Sequence, residues 1–228
     1  MCGRFSLAVS EKKLQRELPF VELGANVKPS YNIAPTQHAY VVTNEAPPVL
    51  QYLTWGLVPF WSKDGKNQGK LINARAEGIA SKPSFRIPIR RQRCLVLADS
   101  FYEWRKEGQQ KIPYRLLPAD DKLLVMAGIW DVWDQEGYPI KSFSIITTTP
   151  NREVSSIHNR MPVVLPDLER QQHWLEALPT PEILEMLQPV ADGFFKVYKI
   201  SSDVNKPVHN AAYLHDPIPE NLDLFSQR

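Results

Sequence analysis

The sequence predicts an α+β fold: a single domain built on antiparallel β-sheets curled into a barrel-like core, with flanking short helices. Three observations predict it. Apolar runs rich in Val, Ile and aromatic residues outnumber helical stretches. These runs do not alternate regularly with helices, which argues against a parallel doubly wound sheet. Twenty prolines against ten glycines favour stiff loops and interrupted elements over long helices. At 228 residues the chain can bury a sizeable core. No repeat, low-complexity segment or long linker divides it, so residues 1–228 read as one domain. Its core spans about 2–209, with an extended tail over about 210–228.

Strands are predicted at 39–43, 49–55, 95–98, 123–130, 143–148 and 194–200, each bounded by Pro, Gly or polar turns. Ser10 is placed to cap a helix over 11–18. Asp167 caps another over 168–178, where Leu168, Trp174, Leu175 and Leu178 keep helical spacing. Residues 181–187 read as a short helix with Pro181 in its first turn, and 151–157 as another that ends before His158. From Val204 several prolines favour an extended path.

The bulk properties narrow the function. A net charge of +2 is too small to argue for nucleic acid, so any basic surface must be local. No segment resembles a signal peptide or approaches the length of a membrane span. Two distant cysteines argue against a disulfide framework and for a reducing, cytoplasmic setting. Cys94 opens an apolar run and is expected to be buried. The five histidines show neither HExxH nor paired CxxC spacing, so no metal and no cofactor are expected. Nothing suggests an obligate oligomer, and a monomer is expected.

Chemistry enters at Met1-Cys2-Gly3-Arg4-Phe5. Loss of Met1 alone would place an amine and a thiol on adjacent carbons, each with a usable reactive fraction at neutral pH. An aldehyde can form a Schiff base with such an amine, and the thiol can then close a five-membered thiazolidine. The plainer alternative is a small buried hydrophobe.

Other polar-rich segments follow. Residues 31–37 (Tyr-Asn-Ile-Ala-Pro-Thr-Gln) read as a turn-rich loop ahead of a strand. Trp55, Phe60 and Trp61 either pack a core or stack unpaired bases. Asn73-Ala74-Arg75-Ala76-Glu77 is expected to begin a helix, with Asn73 as its cap and Arg75 near anion-binding backbone amides. Glu103 lies among aromatics, where burial would raise its pKa; alternatively it faces solvent on an alternating strand. His158 suits proton transfer or caps a helix, and Arg160 could fork onto a phosphate. Arg86, Arg90, Arg91 and Arg93 form either a solvated face or a local cationic strip.

Taken in order, the motifs at 1–5, 32–36, 55–59 (Trp-Gly-Leu-Val-Pro), 73–77 and 158–162 (His-Asn-Arg-Met-Pro), together with residues 94–104 and Ala127-Gly128-Ile129-Trp130, resemble the SOS-response-associated peptidase (SRAP) family of abasic-site processing proteins. The resemblance is dense from Cys2 to about Leu165 and looser to about His209. It implies an enzyme that binds single-stranded DNA and captures ring-opened abasic sites as a thiazolidine crosslink through Cys2. It also implies AP lyase activity and self-removal of the initiator Met. By the same resemblance Asn73 orients the Cys2 amine, Glu103 assists ring opening and proton shuttling, and His158 acts as acid/base. Arg4, Arg75 and Arg160 are implied phosphate contacts. Asn32, Pro35 and Thr36 belong to a wedge that interrupts stacking, near Trp55 and Trp61. The implied partner is single-stranded DNA carrying abasic sites, with nucleoid association when bound. An N-terminal-nucleophile amidohydrolase and a non-covalent reader of damaged DNA are the alternatives.

Overall fold

Two sheets carry the fold, and Cys2, Asn73 and Glu103 lie where they meet. The computed structural model describes residues 2–24, 26–66, 69–134 and 137–219. The chain opens with β1 (Phe5–Leu7), α1 (Glu11–Glu17), β2 (Ser30–Ile33), β3 (His38–Thr43) and β4 (Leu50–Trp55). There follow β5 (Asn73–Arg75), α2 (Pro88–Arg91), β6 (Arg93–Ala98), β7 (Ser100–Glu107) and β8 (Gln110–Pro118). The remainder is β9 (Leu124–Trp133), β10 (Ile140–Thr148), α3 (Arg152–Ser155), β11 (Met161–Pro162), α4 (Leu168–Leu175), α5 (Thr180–Glu185) and β12 (Phe195–Lys199).

One sheet runs β12-β8-β7-β1-β2, antiparallel throughout. In the other, β10, β4, β3, β6 and β9 pair in succession, and β9 pairs back onto β10, so the pairings form a ring. The ring is not wholly antiparallel: β10 pairs in parallel with β4 and also with β5. The fold class stands as predicted, mostly antiparallel sheets with few short helices.

The predicted strands all form, with ends shifted by up to three residues. β6 is buried on both faces, consistent with its continuous apolar run. Gly128 in β9 permits that packing, because a Cβ there would lie 2.8 Å from both Cys94 Sγ and Val96 Cγ2. Cys94 is buried, as its run implies.

The helix starts follow their caps: Ser10 accepts from Lys13 N, Asn151 from Val154 N and Asp167 from Arg170 N. α4 stops earlier than its spacing suggests. The buried Arg93 guanidinium donates to the carbonyls of Trp174 (2.9 Å) and Glu176, as well as to Ile89 and Arg90 near α2. Arg93 is therefore a structural clamp, and only Arg86, Arg90 and Arg91 of the basic run are exposed.

Two expectations are overturned and one pair of alternatives is resolved. Asn73–Arg75 is a strand, because β10 offers a parallel ladder (Ile145↔Asn73, Thr147↔Arg75) that outweighs the segment's helical residues. Of the two readings of Glu103 the buried one holds: it is 2% exposed within β7. The segment from Val204 is not simply extended: Ser202–Asn205 and Ala212–His215 form 3₁₀ turns, and Val204 and Leu214 pack with Tyr102 and Ile200. The part of the predicted tail over 220–228 lies outside the described residues. Among the described residues no helix is long and apolar enough to cross a membrane.

Candidate active site

The antiparallel register places the first two candidates. Phe5 pairs with Phe101 and Ser6 with Ser100, and Tyr102 N donates to Arg4 O at 3.0 Å. Extending that register sets Glu103 across from Gly3, next to Cys2. The third comes from the ring. β5 delivers Asn73, whose Nδ2 donates to the Cys2 carbonyl at 2.8 Å and ties the two sheets together. Asn73 Oδ1 is buried with no hydrogen-bond partner among the described residues. Trp55 Nε1 donates to Ile72 O at 2.9 Å and fixes the approach to β5.

The fourth is His158, just past α3, where its N–H donates to Val154 O at 2.8 Å. Its ring is fixed by Arg160, whose backbone N–H donates to His158 Nδ1 at 3.0 Å. That nitrogen lies 3.9 Å from Glu103 Oε1, beyond direct hydrogen bonding but close enough for charge to be felt. Cys2, Asn73, Glu103 and His158 are thus gathered from four separate segments.

Burial sets the electrostatics. Cys2 is fully buried, and its thiol is pushed up first by that burial and then by the negative charge of Glu103. It is held as a thiol until a partner takes its proton. Glu103 is pushed up by its own burial, with His158 acting in the opposite sense. A buried carboxyl held above its ordinary range can carry a proton close to neutral pH. Glu103 and His158 line one wall of an open groove of about 540 Å³, with Trp104, Lys106, Lys111 and Asn205 along the rest. A second groove of about 330 Å³ holds Asn73, Arg75 and Lys82.

The other candidates divide. Arg75 and Trp61 are exposed, and Trp61 keeps 47% of its surface in solvent beside the equally exposed Phe60. Pro35 and Thr36 form a turn in which Thr36 is exposed and Pro35 partly buried. Thr36, a β-branched residue, sits at φ 72°, a strained conformation for such a side chain. The turn is held by Thr36 N donating to Trp55 O (2.8 Å) and by Ala34 N donating to Gln37 Oε1 (2.9 Å).

Asn32, Trp55 and Arg4 have internal roles. Asn32 is 1% exposed; it accepts from Arg4 and donates to the carbonyls of Val204, Lys206 and His209. Trp55 is fully buried between Phe5 and Phe143 and is no surface for a base. Arg4 donates from Nη1 to Asn32 Oδ1 (2.8 Å) and Val204 O (2.7 Å), while its Nε is buried with no hydrogen-bond partner among the described residues. Arg160 grips the Glu77 carboxylate with both terminal nitrogens, at 2.7 and 2.8 Å, and also donates to Thr147 O. Glu77 was legible only as the end of its motif; nothing in the sequence marked it as Arg160's partner. Among the described residues no group of three or more His, Cys, Asp or Glu could hold a metal.

Fold and site together define a class: α+β domains that draw a cysteine next to the chain start into a polar cluster between two sheets. The family model "SOS response associated peptidase (SRAP)" matches residues 1–207, and the chain belongs to that family. It is similar to the abasic site processing protein YoqW of Bacillus subtilis, 40% identical over 225 residues, covering 94% of this chain and 98% of that protein. It is also similar to the abasic site processing protein HMCES of Gallus gallus, 31% identical, covering 90% of this chain and 74% of that one. A crystal structure of a protein from Bacteroides thetaiotaomicron superposes with a TM-score of 0.82 at 31% identity, over 90% of this chain and 96% of that one.

Proposed function

We propose that the protein binds single-stranded DNA and covalently captures ring-opened abasic sites through Cys2 once Met1 has been removed. The observation that carries this reading is the convergence of Asn73, Glu103 and His158 on Cys2. The names of the relatives, abasic site processing proteins, support the substrate.

The freed Cys2 nitrogen adds to the aldehyde carbon of the sugar, and the resulting carbinolamine loses water to give a Schiff base. Sγ then adds to the same carbon, its proton is taken up by a carboxylate, and the nitrogen remains as a secondary amine. Aminothiol and aldehyde therefore become thiazolidine and water. Glu103, protonated, donates to the departing hydroxyl; as carboxylate it takes the thiol proton. His158, half-exposed at the groove, serves the sugar side in Schiff-base formation and in lyase turnover by elimination from the same intermediate. Asn73 holds the Cys2 carbonyl, and its open Oδ1 is a ready acceptor for the new amine. Holding aldehyde and aminothiol together supplies an effective concentration on the order of 10⁵ M or more. Self-removal of Met1 fits the same cluster: the thiol adds to the Met1 carbonyl, and the Met1–Cys2 amide bond breaks to leave a thioester and a Cys2 amine that takes up the thiol proton. Water then hydrolyses the thioester to release Met1 with a free carboxylate and restore the thiol.

An abasic site offers no base to read, so recognition falls to backbone charge and to the gap itself. Arg75 lies exposed beside Asn73, and Arg160 becomes available when phosphate displaces Glu77. The Pro35–Thr36 turn is the wedge and Trp61 a stacking surface. The test is direct: Met1-free protein mixed with single-stranded DNA carrying one abasic site forms an adduct that survives denaturing electrophoresis, and Cys2→Ala forms none. No adduct with wild type, or an undiminished one with Cys2→Ala, overturns the reading.

A further inference from the structure

The outer face of the β3–β4 hairpin carries three rings that the chemistry above leaves unused. Alternation along β3 turns Ala39 and Val41 inward and His38 and Tyr40 outward. Across the ladder Tyr40 pairs with Tyr52, which is 58% exposed. The Tyr52 ring lies 4.7 Å from Tyr40 and 5.2 Å from His38, nearly parallel to the latter at 26°. A cross-strand pair such as Tyr40–Tyr52 is an ordinary hairpin contact. It accounts for neither the third ring nor the groove of about 450 Å³ beside them.

That groove has Leu7 and Ile33 beneath it, with Lys28, Ser30, Gln37 and Asn210 around it. No acidic side chain lines it among the described residues. Flat rings, neutral hydrogen-bonding groups and one cation match the base, edge and phosphate of an unpaired nucleotide. The groove also continues the wedge, since Gln37 and His38 directly follow Pro35–Thr36. Trp55 N donates to Gln37 O at 2.8 Å, so turn and hairpin are joined by the backbone ladder.

The geometry points to a stacking subsite at Tyr52 and His38 for an unpaired base in the strand flanking the lesion. It rests on the single-stranded DNA reading above and extends it to specificity: DNA unpaired on this side of the lesion is favoured over duplex. The experiment walks a base-free tetrahydrofuran spacer along the flanks of an abasic oligonucleotide and measures binding at fixed salt. In wild type, one flanking position should weaken binding about 5- to 100-fold when its base is removed. In Tyr52→Ala the same removal should cost less than about twofold, because its stacking partner is already gone. Tyr52→Phe should keep the wild-type response and guard against a folding artefact.

Equal sensitivity in wild type and Tyr52→Ala at every position overturns the subsite, as does wild-type affinity in Tyr52→Ala. Adduct formation by wild type in the same samples reports separately on the Cys2 chemistry. An adduct without Tyr52–base coupling removes only the subsite; absence of the adduct removes the function on which it rests.

Discussion

Two polar clusters flank the short strand β1; one is largely paired, apart from the buried His215 Nε2 that lies 4.0 Å from Asp99 without a hydrogen bond among the described residues, and the other is more open. Behind β1, Asp99 accepts from Ser6 Oγ, Ala8 N, Ser100 Oγ and Arg115 Nη2. Arg115 also donates to Ser100 Oγ at 2.8 Å and Tyr198 O–H at 2.6 Å, tying β7, β8 and β12 together. At the start of β1, by contrast, Asn73 Oδ1 has no hydrogen-bond partner among the described residues, Glu103 is held above its ordinary range by burial, and Arg160 is lent to an exposed Glu77. A connected buried network fixes a strand in place. A cluster with open valences costs stability and gains groups ready to bond a substrate. The first cluster holds the backbone against which the second acts.

Three perturbations sharpen that contrast. Glu103→Gln should have the largest effect, slowing adduct formation by roughly 10²–10⁴-fold. It should also stabilise the fold at neutral and alkaline pH. Burial raises Glu103's pKa in the folded state, so wild type is most stable below the unfolded carboxyl value and loses stability as pH rises through the folded one. The amide has no such loss. Thermal unfolding against pH checks this; equal profiles for both proteins would break the comparison.

Asp99→Ala should behave in reverse. It strands the part-buried Arg115 and should cost about 3–5 kcal/mol of stability. Once saturating denaturation is avoided, for example at low temperature, adduct formation per folded molecule should persist. Urea unfolding followed by a crosslinking assay separates the two quantities. A stable Asp99→Ala protein lacking crosslinking would move Asp99 into the chemical cluster.

Glu77→Gln should have the smallest effect. The Glu77 carboxylate is held below its ordinary range chiefly by its hydrogen bonds from Arg160. Weakening that pair frees the guanidinium for phosphate, so single-stranded DNA should bind a few-fold more tightly. The plot of log affinity against log salt should steepen by about 0.7, one further phosphate contact. Unchanged affinity and slope would mean that Arg160 remains a structural tie.

The strands of the ring were legible because their runs are rich in Val, Ile, Leu and aromatic residues and are bounded by turn residues. β7 and β8 were not, since their outer halves are charged and β8 carries Pro113 within the ladder. Asn73 read as a helix cap because its neighbours are helix formers, while its true partner, β10, is about seventy residues distant in sequence. The candidate cluster itself came from ordered motifs resembling a family, not from spacing. No periodicity links Cys2 to Asn73, Glu103 and His158; only the two-sheet seam does. Asn32 and Trp55 show the limit of that route, since a residue inside such a motif can be wholly spent on the fold. The rings of the β3–β4 face belonged to no motif and became visible only when alternation and register set them side by side.

Intact-mass spectrometry of the protein before and after mixing with abasic single-stranded DNA tests the central claim most directly. Before mixing, the chain should lack Met1. After mixing, its mass should rise by that of the oligonucleotide less one water, with the new bond mapping to Cys2. Retained Met1 together with an unchanged mass, or attachment at any other residue, would contradict the account.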